Sequence, residues 1–193
     1  MKTHFFAVVL FLVSTVIAHA DEAFYTVVSV GYSQNELENI ELDSASYKFA
    51  LGYELSSSWY LEAGFQSLGE DNAGKVPDLN GEPNTEYSAL FLSFLGKAQG
   101  KYGELFYRLG ALSIDTTLES MPTSDACNAP LVNTARPLGD LCAFDETILA
   151  GQIGLGFDFY IHHSTIFRTE IEWVKGEQGY SAAAIYTGIR LNF

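Results

Sequence analysis

Several stretches of this sequence carry residue types that could do chemistry. In "IHHS", residues 161–164, His162 and Ser164 have the spacing of a base and a nucleophile, with Glu172 further on as an orienting carboxylate. Cys127 and Cys142 are the only two cysteines. "GQIGLG", residues 151–156, is rich enough in glycine to suggest a phosphate loop, but it lacks the dinucleotide spacing and no helical pattern follows. Carboxylates crowd three connecting stretches: Glu36, Glu38, Glu41 and Asp43; Glu70, Asp71, Asp78, Glu82 and Glu86 around Lys75; and Asp115, Glu119, Asp125, Asp140, Asp145 and Glu146 around Arg136. They could attract divalent cations, yet no calcium-loop spacing is present, and solvated loop charge is the favoured reading. A last set, Lys48, Glu54, Glu62, Arg108, Asp158, Arg168, Glu170, Glu172 and Arg190, falls at alternate positions of otherwise apolar segments.

The elements that position these residues alternate with a period of two, the strand signal. Eight segments are found: residues 23–33, 46–55, 59–66, 87–95, 105–112, 149–159, 165–173 and 180–193. None shows a 3.6-residue period. In the second, Tyr47, Phe49, Leu51, Tyr53 and Leu55 oppose Ser46, Lys48, Ala50, Gly52 and Glu54. The fourth is apolar on both faces and leaves its phase open. Connections after the second, fourth and sixth segments are short ("SSS", "KAQGKYG", "IHHS"). Those after odd segments are longer: residues 34–45, 69–86, 115–147 and the briefer 175–179.

The N-terminus has another character. Lys2 precedes an uncharged apolar run from Phe5 to Ala18, too short for a membrane helix, which needs about 20 residues. Small residues before Asp21 place a signal-peptide cut after Ala20, giving an exported chain with residues 21–193 as one domain. In that compartment Cys127 and Cys142 read first as a disulfide, worth about 3 kcal/mol by loop entropy. No second ligand pair for zinc is visible. The net charge of -14 excludes nucleic acid as a partner held by simple charge attraction.

An even number of antiparallel strands of about ten residues, with short turns at one end and long loops at the other, describes an all-β, eight-stranded transmembrane β-barrel. A soluble barrel such as a lipocalin places its charges outside. Here one face is almost free of charge and the other collects the nine charged residues above, four basic and five acidic. That near-balance suits a closed interior, and the uncharged face then meets lipid. Tyr53, Trp59, Phe157, Phe159, Phe167 and Phe193 are expected in a girdle at the short-turn end. Tyr32, Tyr47, Phe65, Trp173 and Tyr180 are expected in one at the loop end.

The pattern resembles the small OmpA/OmpX-like outer-membrane barrels over residues 23–193. Tyr186, Gly188, Leu191 and Phe193 are similar to that family's C-terminal sorting signal. The resemblance implies that the barrel-assembly machinery reads these residues and that turns are periplasmic and loops extracellular. It further implies outer-membrane lipid and lipopolysaccharide as surroundings. "IHHS" with Glu172 is similar to the His-x-Ser pair and Glu of an outer-membrane lipid A deacylase family. That family works at the outer leaflet, however, whereas this turn falls at the periplasmic end. No catalytic constellation, metal site or cofactor is therefore expected. An eight-stranded barrel is just wide enough for its own side chains, so a plugged interior is expected. The function read from the sequence is a structural or surface-interaction protein, adhesin-like, with a host or cell-surface ligand met by the acidic loops. A small porin is the alternative, followed by a lipid A-modifying enzyme.

Overall fold

The computed structural model describes residues 23–37, 40–71, 84–120, 136–138 and 141–193. The proposed signal peptide and Cys127 lie outside these residues, and so does the side chain of Cys142. The described residues form nine strands: β1 (Phe24–Leu37), β2 (Ile40–Ser56), β3 (Trp59–Asp71), β4 (Asn84–Gln99), β5 (Gly103–Ser120), β6 (Arg136–Leu138), β7 (Leu141–His162), β8 (Thr165–Gly176) and β9 (Ser181–Asn192). No described residue is helical.

Every pairing is antiparallel. The order β5-β4-β3-β2-β1-β9-β8-β7 is closed by β5 against β7, so eight strands form the wall of a barrel. The short β6 pairs only with the loop end of β7. The first and last wall strands meet along Tyr25↔Asn192 to Glu36↔Ser181. The Phe193 N–H donates to the Phe24 carbonyl at 3.0 Å, and that of Asn192 to the Ser164 carbonyl at 3.0 Å. The aromatic terminus is thus held on both sides, and the seam leaves no open edge between the first and last wall strands.

Alternation decides which side chains meet what. Val28, Val30, Leu51, Leu90, Leu92, Phe94, Leu109, Leu149, Ile153, Leu155 and Ile185 all point outward and are half or more exposed. Water would penalise so much bare apolar surface, whereas a bilayer covers it. Aromatic pairs ring the turn end: Phe24 with Tyr53 at 4.8 Å between centroids, Trp59 with Tyr107 at 6.0 Å, and Phe159 with Phe167 at 6.2 Å. Tyr32, Tyr47 and Trp173 face outward near the loops. Tyr180 departs from the expected girdle. It lies inside, where its hydroxyl donates to Asn35 Oδ1 at 2.7 Å.

The wall also extends further than hydrophobic alternation reveals. β1 and β2 continue to Leu37↔Ile40, so most of the stretch expected as a first loop is strand. β5 and β7 stay paired from Asp115↔Thr147 to Ser120↔Cys142. In these stretches the residues are polar on both faces, as in Gln34, Asn35 and Glu36, and the apolar–polar contrast that marks a strand disappears.

Close contacts between aromatics and glycines tighten the wall. A Cβ on Gly156 would run into the Phe106 ring and the Thr169 carbonyl. At Gly151, on the outer face, a Cβ would meet only the Lys175 carbonyl at 3.9 Å. Gly156→Val is therefore expected to lower the stability of the folded barrel by about 1–3 kcal/mol. Gly151→Ala should leave it unchanged. Urea unfolding in lipid vesicles, followed by heat-modifiable gel mobility, checks both.

Candidate functional site

The interior is filled in two layers of different character. In the turn half, β2, β3, β4, β5, β7, β8 and β9 each send charges inward. Five cations (Lys48, Lys97, Arg108, Arg168, Arg190) meet five carboxylates (Glu62, Glu104, Asp158, Glu170, Glu172), every side chain 5% exposed or less. Arg108 binds Glu62 at 2.6 Å and Glu170 at 2.5 Å. Arg168 takes the other Glu62 oxygen at 2.6 Å and grips Asp158 with two nitrogens, at 2.6 and 2.8 Å. Asp158 also accepts from Lys97 at 3.1 Å and Arg190 at 3.2 Å, both of which reach Glu104 as well. Lys48 closes the loop-ward end on Glu170 at 3.2 Å and on Glu172. The network is continuous, because Glu62 joins the two arginines and Asp158 joins Arg168 to the turn-side pair.

Rings complete the cage. The Tyr25 hydroxyl donates to Glu62 at 2.8 Å, and its ring lies 4.0 Å from the Arg190 guanidinium carbon. Lys97 sits 3.9 Å from the centre of the Tyr60 ring, Lys48 4.2 Å from that of Tyr186, and Arg168 4.5 Å from that of Phe106. Such contacts favour a cation that has left water.

The loop half is mixed. Leu68, Tyr87, Ala89, Leu112, Ile114, Ile148, Ala150, Val174, Tyr180 and Ala182 belong to one buried cluster, and Ser33, Asn35, Gln66, Ser67, Thr116 and Gln152 are buried beside them. The polar network and this packed filling together occupy the interior.

Of the residues singled out in the sequence, Lys48, Glu62, Arg108, Asp158, Arg168, Glu170, Glu172 and Arg190 meet in this network. Glu54 does not: it lines the mouth at the turn end, a cavity of about 490 Å³ shared with Tyr60, Glu104, Tyr160 and Arg190, and makes no ion pair there. Lys97 and Glu104 were missed. Lys97 was read as the first residue of the turn "KAQGKYG" and Glu104 fell between that turn and the fifth segment, whereas β4 runs on to Gln99 and β5 starts at Gly103. Their signal was a period of two carried inward from Ser93 through Leu95 to Lys97.

The "IHHS" residues sit at the end of β7 and in the β7–β8 turn, with the two exposed histidine rings 3.8 Å apart between centroids and tilted by 46°. Glu172 lies eight residues along β8 from Ser164, about 26 Å at the rise of a strand, and is bonded to Lys48. It cannot orient His162. The four residues of the sorting pattern divide by face. Tyr186 points inward against Gly31, Leu191 outward, and Gly188 is pressed against Ser29 of β1, while Phe193 follows the last strand. Among the described residues no group of three or more metal-ligating side chains is assembled.

Solved structures share this architecture. Neisserial surface protein A superposes with a TM-score of 0.62 at 10% identity, covering 88% of this chain and 97% of that one. The fold is that of the small outer-membrane β-barrels. A major outer membrane protein from Thermus thermophilus gives 0.54 at 11% identity, over 91% of this chain and 100% of that one. Ail, the attachment invasion locus protein of Yersinia pestis, gives 0.52 at 16%, over 88% and 99%. No family model matches the sequence, and no curated protein matches it. At these identities the likeness is one of fold.

Removing one partner of a buried ion pair leaves the other uncompensated, at about 3–5 kcal/mol. Asp158→Asn strips a carboxylate from three cations at once and is expected to cost that much in urea unfolding. Glu54→Gln, at the mouth, should stay within about 0.5 kcal/mol.

Proposed function

We propose that this chain is an outer-membrane barrel whose working surface is its loop end, acting as a structural or surface-interaction protein rather than as a pore or an enzyme. The observation that carries this reading is the doubly closed interior. An ionic layer fills the turn half and a tightly buried, mixed filling the loop half. Ions crossing the barrel would need to break buried pairs and then displace closely packed side chains such as Leu68, Ile114, Ile148 and Tyr180. That weighs against the small-porin reading. Separation of His162 and Ser164 from Glu172 weighs against a lipid A-modifying enzyme.

What is left facing a partner is the connection between β5 and β7 and that between β3 and β4. Both are longer than a mere link requires, and long loops of this kind are mostly functional or unstructured. Export favours a disulfide between Cys127 and Cys142, and a tied loop loses less entropy when it meets a partner. The C-terminal strand supports a role for Tyr186, Gly188, Leu191 and Phe193 in recognition by the barrel-assembly machinery. Ail has been solved in complex with the heparin analogue sucrose octasulfate. The β3–β4 and β5–β7 connections, with the strand residues Asp71 and Arg136 that border them, carry Asp71, Asp78, Glu82, Asp125 and Asp140 against Lys75 and Arg136. That balance disfavours a polyanion and suits a neutral or cationic partner at the cell surface.

The pure protein in planar bilayers is expected to show no large, steady single-channel current; such currents would favour the porin. Alkylation with and without reduction, read by mass spectrometry, is expected to find Cys127 and Cys142 bonded in protein from its native membrane. Deleting residues 121–135 leaves every wall strand in place. Barrels should still assemble, with surface binding by whole cells lost. Persistence of all binding would defeat the assignment to this loop.

A further inference from the structure

We propose that the loop end carries a docking slot for an extended, basic peptide segment of a partner, which adds a strand to the open edge of β2. Register defines the slot. β2 stays paired with β1 up to Leu37↔Ile40, whereas its ladder with β3 stops at Tyr47↔Ser67. Among the described residues, 40–46 of β2 therefore have a strand on one side only. The stretch begins just loop-ward of Tyr47, an outward ring of the girdle.

The opening is built into β3. The register of β3 against β4 shifts between Ser67 and Gly69, and Gly69 takes a φ of 151°, which a side chain would resist. Leu68, the extra residue, is buried, and its carbonyl accepts from the Ser33 hydroxyl and from Asn35 Nδ2 at 2.5 Å. A carbonyl of β3 is thus tied to side chains of β1, and β3 continues to Asp71 along β4. One bond gives the direction of the groups left at the edge. The Glu54 N–H donates to the Ala23 carbonyl at 2.7 Å, so even-numbered residues of β2 address β1 and odd-numbered ones the other side. Glu41, Asp43 and Ala45 hence turn their N–H and C=O groups into the slot. The Ala45 carbonyl accepts a local bond from the Ser44 hydroxyl at 3.3 Å and keeps a second lone pair.

Such an edge is a template for one more strand, with main-chain bonds supplying affinity. Charge names the occupant. The strand stretches that border the slot carry Glu36, Glu41, Asp43, Glu70, Asp71 and Glu86, and residues 31–37, 40–46, 68–71 and 84–88 contain no lysine or arginine. Lys175 stands on β8, three strands along the sheet. Register also sets Glu36 directly opposite Glu41, and Glu70 directly opposite Glu86. Like charges in facing positions destabilise a sheet, and an incoming cation relieves both pairs. A second copy of this chain, at net charge -14, meets repulsion instead. A segment with Lys or Arg at alternate positions matches the edge and the charge together. This inference rests on the loop end being the working surface, at a place separate from residues 121–135.

The full folded chain in uncharged detergent micelles would be titrated with a blocked peptide of alternating lysine and valine, about seven residues long to match the edge. Two controls have the same length: a glutamate–valine peptide, and the lysine peptide N-methylated at every residue, which keeps its charge and loses its donors. The lysine peptide is expected to bind one per chain, at least about tenfold more tightly than either control. Ala45→Pro removes an N–H that faces the slot and spares the β1 ladder, and should cost a similar factor. Glu36→Gln with Asp43→Asn should weaken binding and flatten its salt dependence. Heat-modifiable mobility scores folding of each variant, and if Ala45→Pro does not fold, the N-methylated peptide decides alone. Equal binding of the methylated peptide, or full affinity in Ala45→Pro, would leave only charge attraction and overturn the proposal. No binding at all would overturn it too, as it would be were residues 72–83 to fill the slot. So would sedimentation showing a dimer that Ala45→Pro converts to monomer. Deleting residues 121–135 leaves the slot in place, so whole-cell binding and peptide binding score the two readings separately.

Discussion

Hydrocarbon offers a backbone amide nothing to bond to, and that single constraint organises this molecule. Every N–H and C=O within the bilayer must find its partner in the protein, and the β1–β9 seam is where a sheet becomes a closed surface. Closure fixes a narrow lumen. A narrow lumen must be filled by side chains, and filling it from alternate positions of strands whose other face is apolar means choosing what to bury. The chain makes two different choices at its two ends.

The turn half buries ten charges with no net excess. Their mutual attraction in a medium poor in water is large, and so is the cost of removing them from water, so the pairs contribute less to net stability than to uniqueness. Only one register brings Glu62 of β3 to Arg108 of β5 and Arg168 of β8 together. A slip of one residue in any of these strands would turn a charge out into lipid. The loop half adds its own specificity, because the Tyr180 hydroxyl donates to Asn35 Oδ1 at 2.7 Å between β9 and β1.

Closed, antiparallel and eight-stranded architecture was legible because alternation of apolar and polar residues is strong wherever one face meets lipid. Tyr47 to Leu55 against Ser46 to Glu54 is the clearest case. Legibility failed where the contrast vanishes. β4 is apolar on both faces because its inward Ala89, Phe91 and Leu95 belong to the buried filling, which hid the phase and with it Lys97. Strand ends were read as loops because polar residues stand on both faces there, as in Gln34, Asn35 and Glu36. Tyr180 was assigned to a girdle by its position alone, since type and spacing do not say which way a ring turns after a tight connection. Which carboxylate meets which cation could not be read at all, because pairs such as Lys48 and Glu172 depend on the tilt and stagger of the closed sheet.

The layering also makes the barrel a one-sided insulator. Arg190 and Glu104 border an open mouth at the turn end, whereas Leu68, Ile114, Ile148 and Tyr180 seal the other. Changes of acidity or salt at the turn end therefore reach Arg190 and Glu104 directly. The same changes at the loop end meet packed side chains before any of the ten charges.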